Sequence, residues 1–137
     1  MTNILKISEA ASLALHTVVI LAANPEKLLL TKELASTLRA SEAHLSKVLQ
    51  RLEKARIVKS TRGPKGGFKL ERPGDEITLL EVYEAIDGKL SSSNCLLNEC
   101  ICNGDCIMGK LLGELNNQVR NYLVKTKLST LTSVYRR

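Results

Sequence analysis

The chain has 137 residues and a formal net charge of +6, with a pI near 9.3. That is room for one domain of ordinary size, with a basic balance that points to polyanions: DNA, RNA or an anionic membrane surface. Hydrophobic residues make up 44% and aromatics 3%, so the core is aliphatic and base stacking is disfavoured as a binding mode. No apolar run reaches the roughly 18 residues needed to span a bilayer, and Met1–Lys6 lacks a signal-type pattern, so a cytoplasmic protein with no membrane partner is expected.

From Ile7 to Ala23 the pattern is helical. Ile7, Ala10, Ala11, Ala14, Val18, Leu21 and Ala22 form one stripe, and Glu9, Ser12 and His16 another on the far side. Asn24-Pro25 ends this helix, because a residue before proline is pushed out of the α region. Thr31 can cap a short helix through Arg39, with Leu34, Ala35 and Leu38 turned inward. Ala40 and Ser41 alone separate it from the next helix, which reads as helix-turn-helix.

The central stretch runs from Ser41, a plausible N-cap, to Lys54. Leu45, Val48, Leu49 and Leu52 fall at i, i+3, i+4 and i+7 and predict one buried face. Ala43, Lys47, Gln50 and Lys54 centre the opposite face, with His44, Ser46 and Arg51 at its margins. Such a face suits a DNA major groove. It also suits an ordinary solvated helix, the commoner case for one helix taken alone; the flanking segments shift the balance toward DNA. Val58–Arg62 can be a strand, Gly63–Gly67 must turn, and Phe68–Leu70 can return. A basic hairpin directly after a helix-turn-helix is a wing. Arg62 and Lys65 bring charge to its tip, and Gly66 lets the backbone approach phosphate closely.

Thr78-Leu79-Leu80-Glu81 has the capping-box form and opens a helix packing Leu79, Val82, Tyr83 and Ile86, closed by Gly88. Ser91–Asn94 is a polar loop. All four cysteines then fall between Cys95 and Cys106, separated by four, one and three residues. Thiolates are soft ligands that suit iron–sulfur clusters, zinc and copper(I), but these gaps are a poor zinc pattern. Without metal, the same thiols could form redox disulfides. From about Ile107 to Lys127 a long helix carries Met108, Leu111, Leu115, Val119 and Tyr122 as a coiled-coil-like seam, fit for a second subunit or for its own domain. Ser129–Arg137 reads as a loose tail. No Walker, Rossmann or zincin motif is present, and no enzyme is expected.

The wing Arg62-Gly63-Pro64-Lys65-Gly66-Gly67-Phe68 followed by Ile77-Thr78-Leu79-Leu80-Glu81-Val82, after a helix and a helix-turn-helix, resembles a bacterial family of winged-helix transcription regulators that includes IscR, NsrR, RirA and CymR. The resemblance covers about Lys6 to Leu128. It implies a mostly α fold with a small β-hairpin wing: a winged helix-turn-helix over residues 1–88, a cluster-binding segment over 89–106, and a dimerisation helix with its tail over 107–137. It also implies a homodimer with crossed C-terminal helices on double-stranded DNA, at a palindromic operator. Ser41, Ala43, His44, Ser46, Lys47, Gln50, Arg51, Arg62, Lys65 and Gly66 are the expected DNA-facing set. The family often has glycine where Arg56 stands. Arginine tolerates the left-handed conformation poorly, so a different helix exit is expected there.

In this family the cysteine segment holds an iron–sulfur cluster in some members and is absent in others. By resemblance, Cys95, Cys102 and Cys106 are the expected ligands of a 2Fe-2S or 4Fe-4S cluster, with Cys100 as the spare. The assembly regulator's histidine falls here on Gly109. Another redox-responsive member takes a ligand from its first helix, which makes His16 the candidate fourth ligand. The expected function is a regulator whose operator affinity follows redox state, nitric oxide, oxygen or iron. The alternatives are a metal-free thiol-redox regulator and an iron–sulfur protein that does not bind DNA.

Overall fold

A computed structural model describes residues 5–90 and 95–135; the expected polar loop at Ser91–Asn94 lies outside these residues. The order is α1 (Glu9–Ala23), α2 (Thr31–Leu38), α3 (Glu42–Lys54), β1 (Val58–Thr61), β2 (Gly67–Leu70), α4 (Leu79–Asp87) and α5 (Leu111–Lys125), with short 3-10 segments at Gly74–Glu76 and Leu128–Tyr135.

Helix α1 runs through the middle of the core. Ser8 caps it, its hydroxyl oxygen accepting from the Ala11 amide at 3.0 Å while donating to Asp87 at 2.6 Å, which ties the start of α1 to the end of α4. The expected stripe of Ala11, Ala14, Val18 and Leu21 is buried, but so are Leu13, Thr17, Val19 and Ile20. Part of the reason lies at the other end of the chain. Leu128–Tyr135 is not the loose tail expected from its sequence. It packs against α1, burying Leu128 completely and Leu131 and Tyr135 in part.

Helices α2 and α3 form the helix-turn-helix. Thr31 is the first residue of α2 rather than its cap; Leu30 holds the cap position, and its amide donates to Glu33 Oε1 at 3.2 Å. Ser41 caps α3 as expected, accepting from the His44 amide at 3.0 Å. Leu45, Val48, Leu49 and Leu52 are all buried, each stabilising by about 1.5–3 kcal/mol relative to exposure. The exit of α3 corrects an expectation. Arg56 does take the left-handed conformation, at φ 61°. The Arg56 amide bonds to Glu53 O and the Ile57 amide to Leu52 O, both at 3.0 Å, the bond pattern of a Schellman motif. Burial of Ile57 and Leu52 at 0% exposure supplies the apolar contact that goes with it, and that contact holds an unfavourable residue in place.

The hairpin pairs Val58 with Leu70, Lys59 with Lys69, Ser60 with Phe68 and Thr61 with Gly67. Leu29 adds a third partner, exchanging both backbone bonds with Phe68 at 3.0 and 2.8 Å. Two glycines are required by close approach. A Cβ at Gly66 would lie 2.1 Å from the Thr61 carbonyl oxygen, and one at Gly67 would lie 2.9 Å from that of Leu29.

Helix α4 begins at Thr78, whose hydroxyl accepts from the Glu81 amide at 3.3 Å. The reciprocal half of the expected capping box is missing, because the Glu81 carboxylate pairs with Arg72. The Leu79 amide bonds to Thr126 O, and the Leu128 amide to Ile77 O, both at 3.0 Å. These bonds return the end of α5 to the start of α4. Helix α5 is shorter than expected, and Met108 stands in the turn before it. Its buried residue is Leu123, while Leu111, Leu115 and Tyr122 stay 46%, 40% and 58% exposed. This part of the seam faces away from its own domain.

Candidate DNA interface and cysteine segment

The buried face of α3 fixes what remains outside. Ser41, Ala43, Lys47, Gln50 and Arg51 are exposed, in one continuous strip along the helix. His44 and Ser46 are partly buried, and His44 Nδ1 lies 4.0 Å from Glu9 Oε1, which turns it toward α1. Arg62 and Lys65 stand exposed at the wing tip. Gly66 is half-buried and closes the tip through its amide, which bonds to Gly63 O at 2.9 Å. Ser60 Oγ donates to Glu53 Oε1 at 3.0 Å, so the first wing strand is anchored to the last turn of α3.

Two cations outside the expected set join this surface. Lys59 and Lys69 face each other across the hairpin. Like charges directly opposite destabilise a sheet, and a polyanion would relieve that repulsion. Strand alternation carried the signal, since Val58 and Leu70 are the flanking pair on the inner side. Among the described residues Lys47, Arg51, Lys59, Arg62, Lys65 and Lys69 make no ion pair. Arg72 does, with Glu81.

The cysteines lie in the irregular stretch before α5. Cys95, Cys102 and Cys106 are partly buried, Cys100 is exposed, and no disulfide joins them. The thiols interact. The Cys102 backbone, and after it the Cys95 side chain, hold the Cys100 thiol below its ordinary pKa by hydrogen bonding. Desolvation pushes Cys102 up, opposed by a backbone bond at Ile107, and the neighbouring charges of Cys100, Cys106 and Cys95 push the same way as desolvation. Among the described residues, however, no three His, Cys, Asp or Glu side chains converge to hold a metal ion. His16 is elsewhere engaged. Its Nδ1 lies 2.5 Å from the Tyr135 hydroxyl, with the rings edge to face at 6.2 Å and 82°.

A wing anchored to a cation-bearing helix of a helix-turn-helix defines a DNA-binding transcription regulator. The profile of the Rrf2 family, whose members are termed iron-dependent transcriptional regulators, matches residues 7–133, and the chain belongs to that family. It is 28% identical over 131 residues to an Aquifex aeolicus protein assigned to the HTH-type transcriptional regulators, covering 93% of this chain and 91% of that one. It is 31% identical over 94 residues to the HTH-type transcriptional regulator IscR of Photorhabdus laumondii, covering 68% of this chain and 57% of that protein. The solved structure of CymR, the global cysteine regulator of B. subtilis, superposes with a TM-score of 0.81 at 26% identity, covering 97% of this chain and all of that one. The family resemblance and the winged-helix architecture expected from the sequence are both borne out. No helix among the described residues is long and apolar enough to cross a membrane.

Proposed function

We propose that the protein is a homodimeric regulator that binds a palindromic operator and whose DNA affinity is set at the cysteine segment by an iron–sulfur cluster. The observation that supports this is the placement of four interacting thiols between the winged helix and the N-terminal end of α5. The donor set fits the group, since thiolates are the usual ligands of such clusters. Cys95, Cys102 and Cys106 would hold it, with Cys100 in reserve, and His16 is the proposed fourth ligand, from the same or the partner subunit. The Tyr135 hydroxyl holds His16 Nδ1, so Nε2 is the nitrogen that would ligate. When bound, a cluster supplies one-electron redox chemistry and reactivity toward nitric oxide or oxygen.

The rest is done by the chain itself. The exposed seam of α5 pairs two subunits, and two α3 helices enter successive major grooves about 34 Å apart. Fixing the cysteine segment fixes where α5 leaves the winged helix, and hence that spacing. Coupling of this kind typically changes affinity about 5–150-fold. The experiment is anaerobic purification with a visible spectrum and iron and sulfide analysis, followed by operator binding before and after removal of iron. A colourless, iron-free protein, or equal binding in both states, would overturn the cluster reading.

A second reading has its own support, the hydrogen bond between Cys100 and Cys95. In a metal-free protein a peroxide could take two electrons from this pair, forming the S–S bond and leaving as water and alcohol. DNA binding that follows disulfide content in iron-free protein would favour it.

A further inference from the structure

Among the described residues, Arg39 and Arg56 are the non-glycine residues in the left-handed conformation, at φ 55° and 61°. They bracket α3. Arg39 caps the end of α2, two residues before the Ser41 cap, and Arg56 follows the last turn of α3. At Arg39 the turn itself requires the conformation. The Arg39 amide bonds to Ser36 O at 3.3 Å and the Ala40 amide to Ala35 O at 2.9 Å, the bond pattern of a Schellman motif, in which this position is usually glycine. Nothing in the packing calls for arginine there. Its side chain is exposed, and it makes no ion pair among the described residues. Glu42, the nearest acid in sequence, is exposed three residues on and is not paired with it.

The place of the turn supplies a use for the charge. The exposed strip of α3 opens at Ser41 and Ala43, and a recognition helix reads base edges with its N-terminal residues. The major groove is about 12 Å wide, and its walls are phosphate strands. Two residues span at most about 7 Å. With Ser41 at the groove, the Arg39 backbone therefore stands at its wall, and its long cationic side chain is free to meet a phosphate. We propose, on the DNA-binding reading above, that Arg39 binds a phosphate at the rim of the groove and so fixes how the start of α3 enters it. A contact to the DNA backbone positions the helix and reads no base.

The test uses the full-length protein and a labelled mixed-sequence duplex of about three helical turns, long enough for two half-sites one turn apart, with anisotropy read across a salt series. Arg39→Gly should weaken binding about tenfold per chain, the margin of one charge-assisted hydrogen bond. It should also flatten the salt dependence by about 0.9 log units per chain. The same variant should melt later in urea, because glycine relieves the strain. Arg39→Lys keeps the charge and should keep the wild-type slope. Arg56→Gly is the matched control. It relieves the same strain and loses the same charge at the far end of α3, a helix of 13 residues or about 20 Å, and should leave the slope unchanged. Lower stability with an unchanged slope in Arg39→Gly would give the arginine a purely structural role, with Glu42 as its partner in solution, and overturn the proposal. Equal flattening in Arg56→Gly would reveal an effect of net charge alone and also overturn it. If the wild-type protein leaves the duplex unbound at low salt, the DNA-binding reading falls and this proposal with it. Wild-type binding that Arg39→Gly leaves unaltered refutes this proposal alone.

Discussion

The exit of the recognition helix offers a quantitative check. Arg56 sits at φ 61° at the end of α3, a conformation that costs an L-residue roughly 1–2 kcal/mol. Its side chain is exposed, so replacing it disturbs no packing. Arg56→Gly removes the strain but gives the unfolded chain more freedom, offsetting about 0.5–1 kcal/mol. The net expected gain is about 0.5–1 kcal/mol. Arg56→Ala is the control, because alanine loses the same charge yet keeps the strain. With a urea dependence of about 1.5 kcal/mol per molar, the glycine variant should melt about 0.3–0.7 M later than the alanine variant at equal protein concentration, with unchanged slope. A glycine variant no more stable than the alanine one would show that the turn is not strained, and that the contact between Ile57 and Leu52 has nothing to hold against.

The wing should act through phosphate. Arg62→Ala and Lys65→Ala, and Lys59→Ala from the structure, should weaken DNA binding and flatten its salt dependence by about 0.9 log units for each phosphate left unneutralised; fluorescence anisotropy across a salt series checks this. Lys47→Ala or Gln50→Ala should instead change which bases are preferred, read by selection from a randomised operator library. Leu115→Asp introduces a charge on the exposed seam of α5 and should give monomers in the ultracentrifuge with undiminished helical circular dichroism; a dimer would place the interface elsewhere. Leu128→Ala should cost about 2–5 kcal/mol in denaturant melts, as a fully buried leucine does, whereas a loose tail would cost nothing.

The helix-turn-helix was legible because its signals are local. The i, i+3, i+4, i+7 spacing in α3 and the Ser41 cap need no distant partner, and both are present. The wing was legible from Gly63–Gly67 for the same reason. What escaped was set by residues far apart in sequence. Val19 and Ile20 lie off the expected stripe, and they border the last residues of the chain where these return to α1. The strand at Leu29 is a single bridge whose partner, Phe68, is remote in the chain. Arg56 failed as a local rule: tertiary burial on both sides of the turn outweighs a backbone preference of roughly 1–2 kcal/mol.

The cysteine segment differs from both cases. Spacing and thiolate softness singled out four cysteines, and the structure places their thiols within electrostatic reach of one another. Their coordination is another matter, because it depends on what closes around them. In the chain described, His16 belongs to Tyr135, and Tyr135 belongs to the segment that α5 leads into. The bond between His16 Nδ1 and Tyr135 helps hold that segment on α1 and leaves Nε2 as the ring's other nitrogen. Metal-ligating histidines commonly keep their second nitrogen on a hydrogen-bond partner. A His16 ligated through Nε2 would therefore keep Tyr135 docked, with Leu131 and Val134 beside α1. Under the proposed cluster reading one imidazole would join the cysteine segment to the segment that follows α5, so loss of the cluster would act on the anchoring of both.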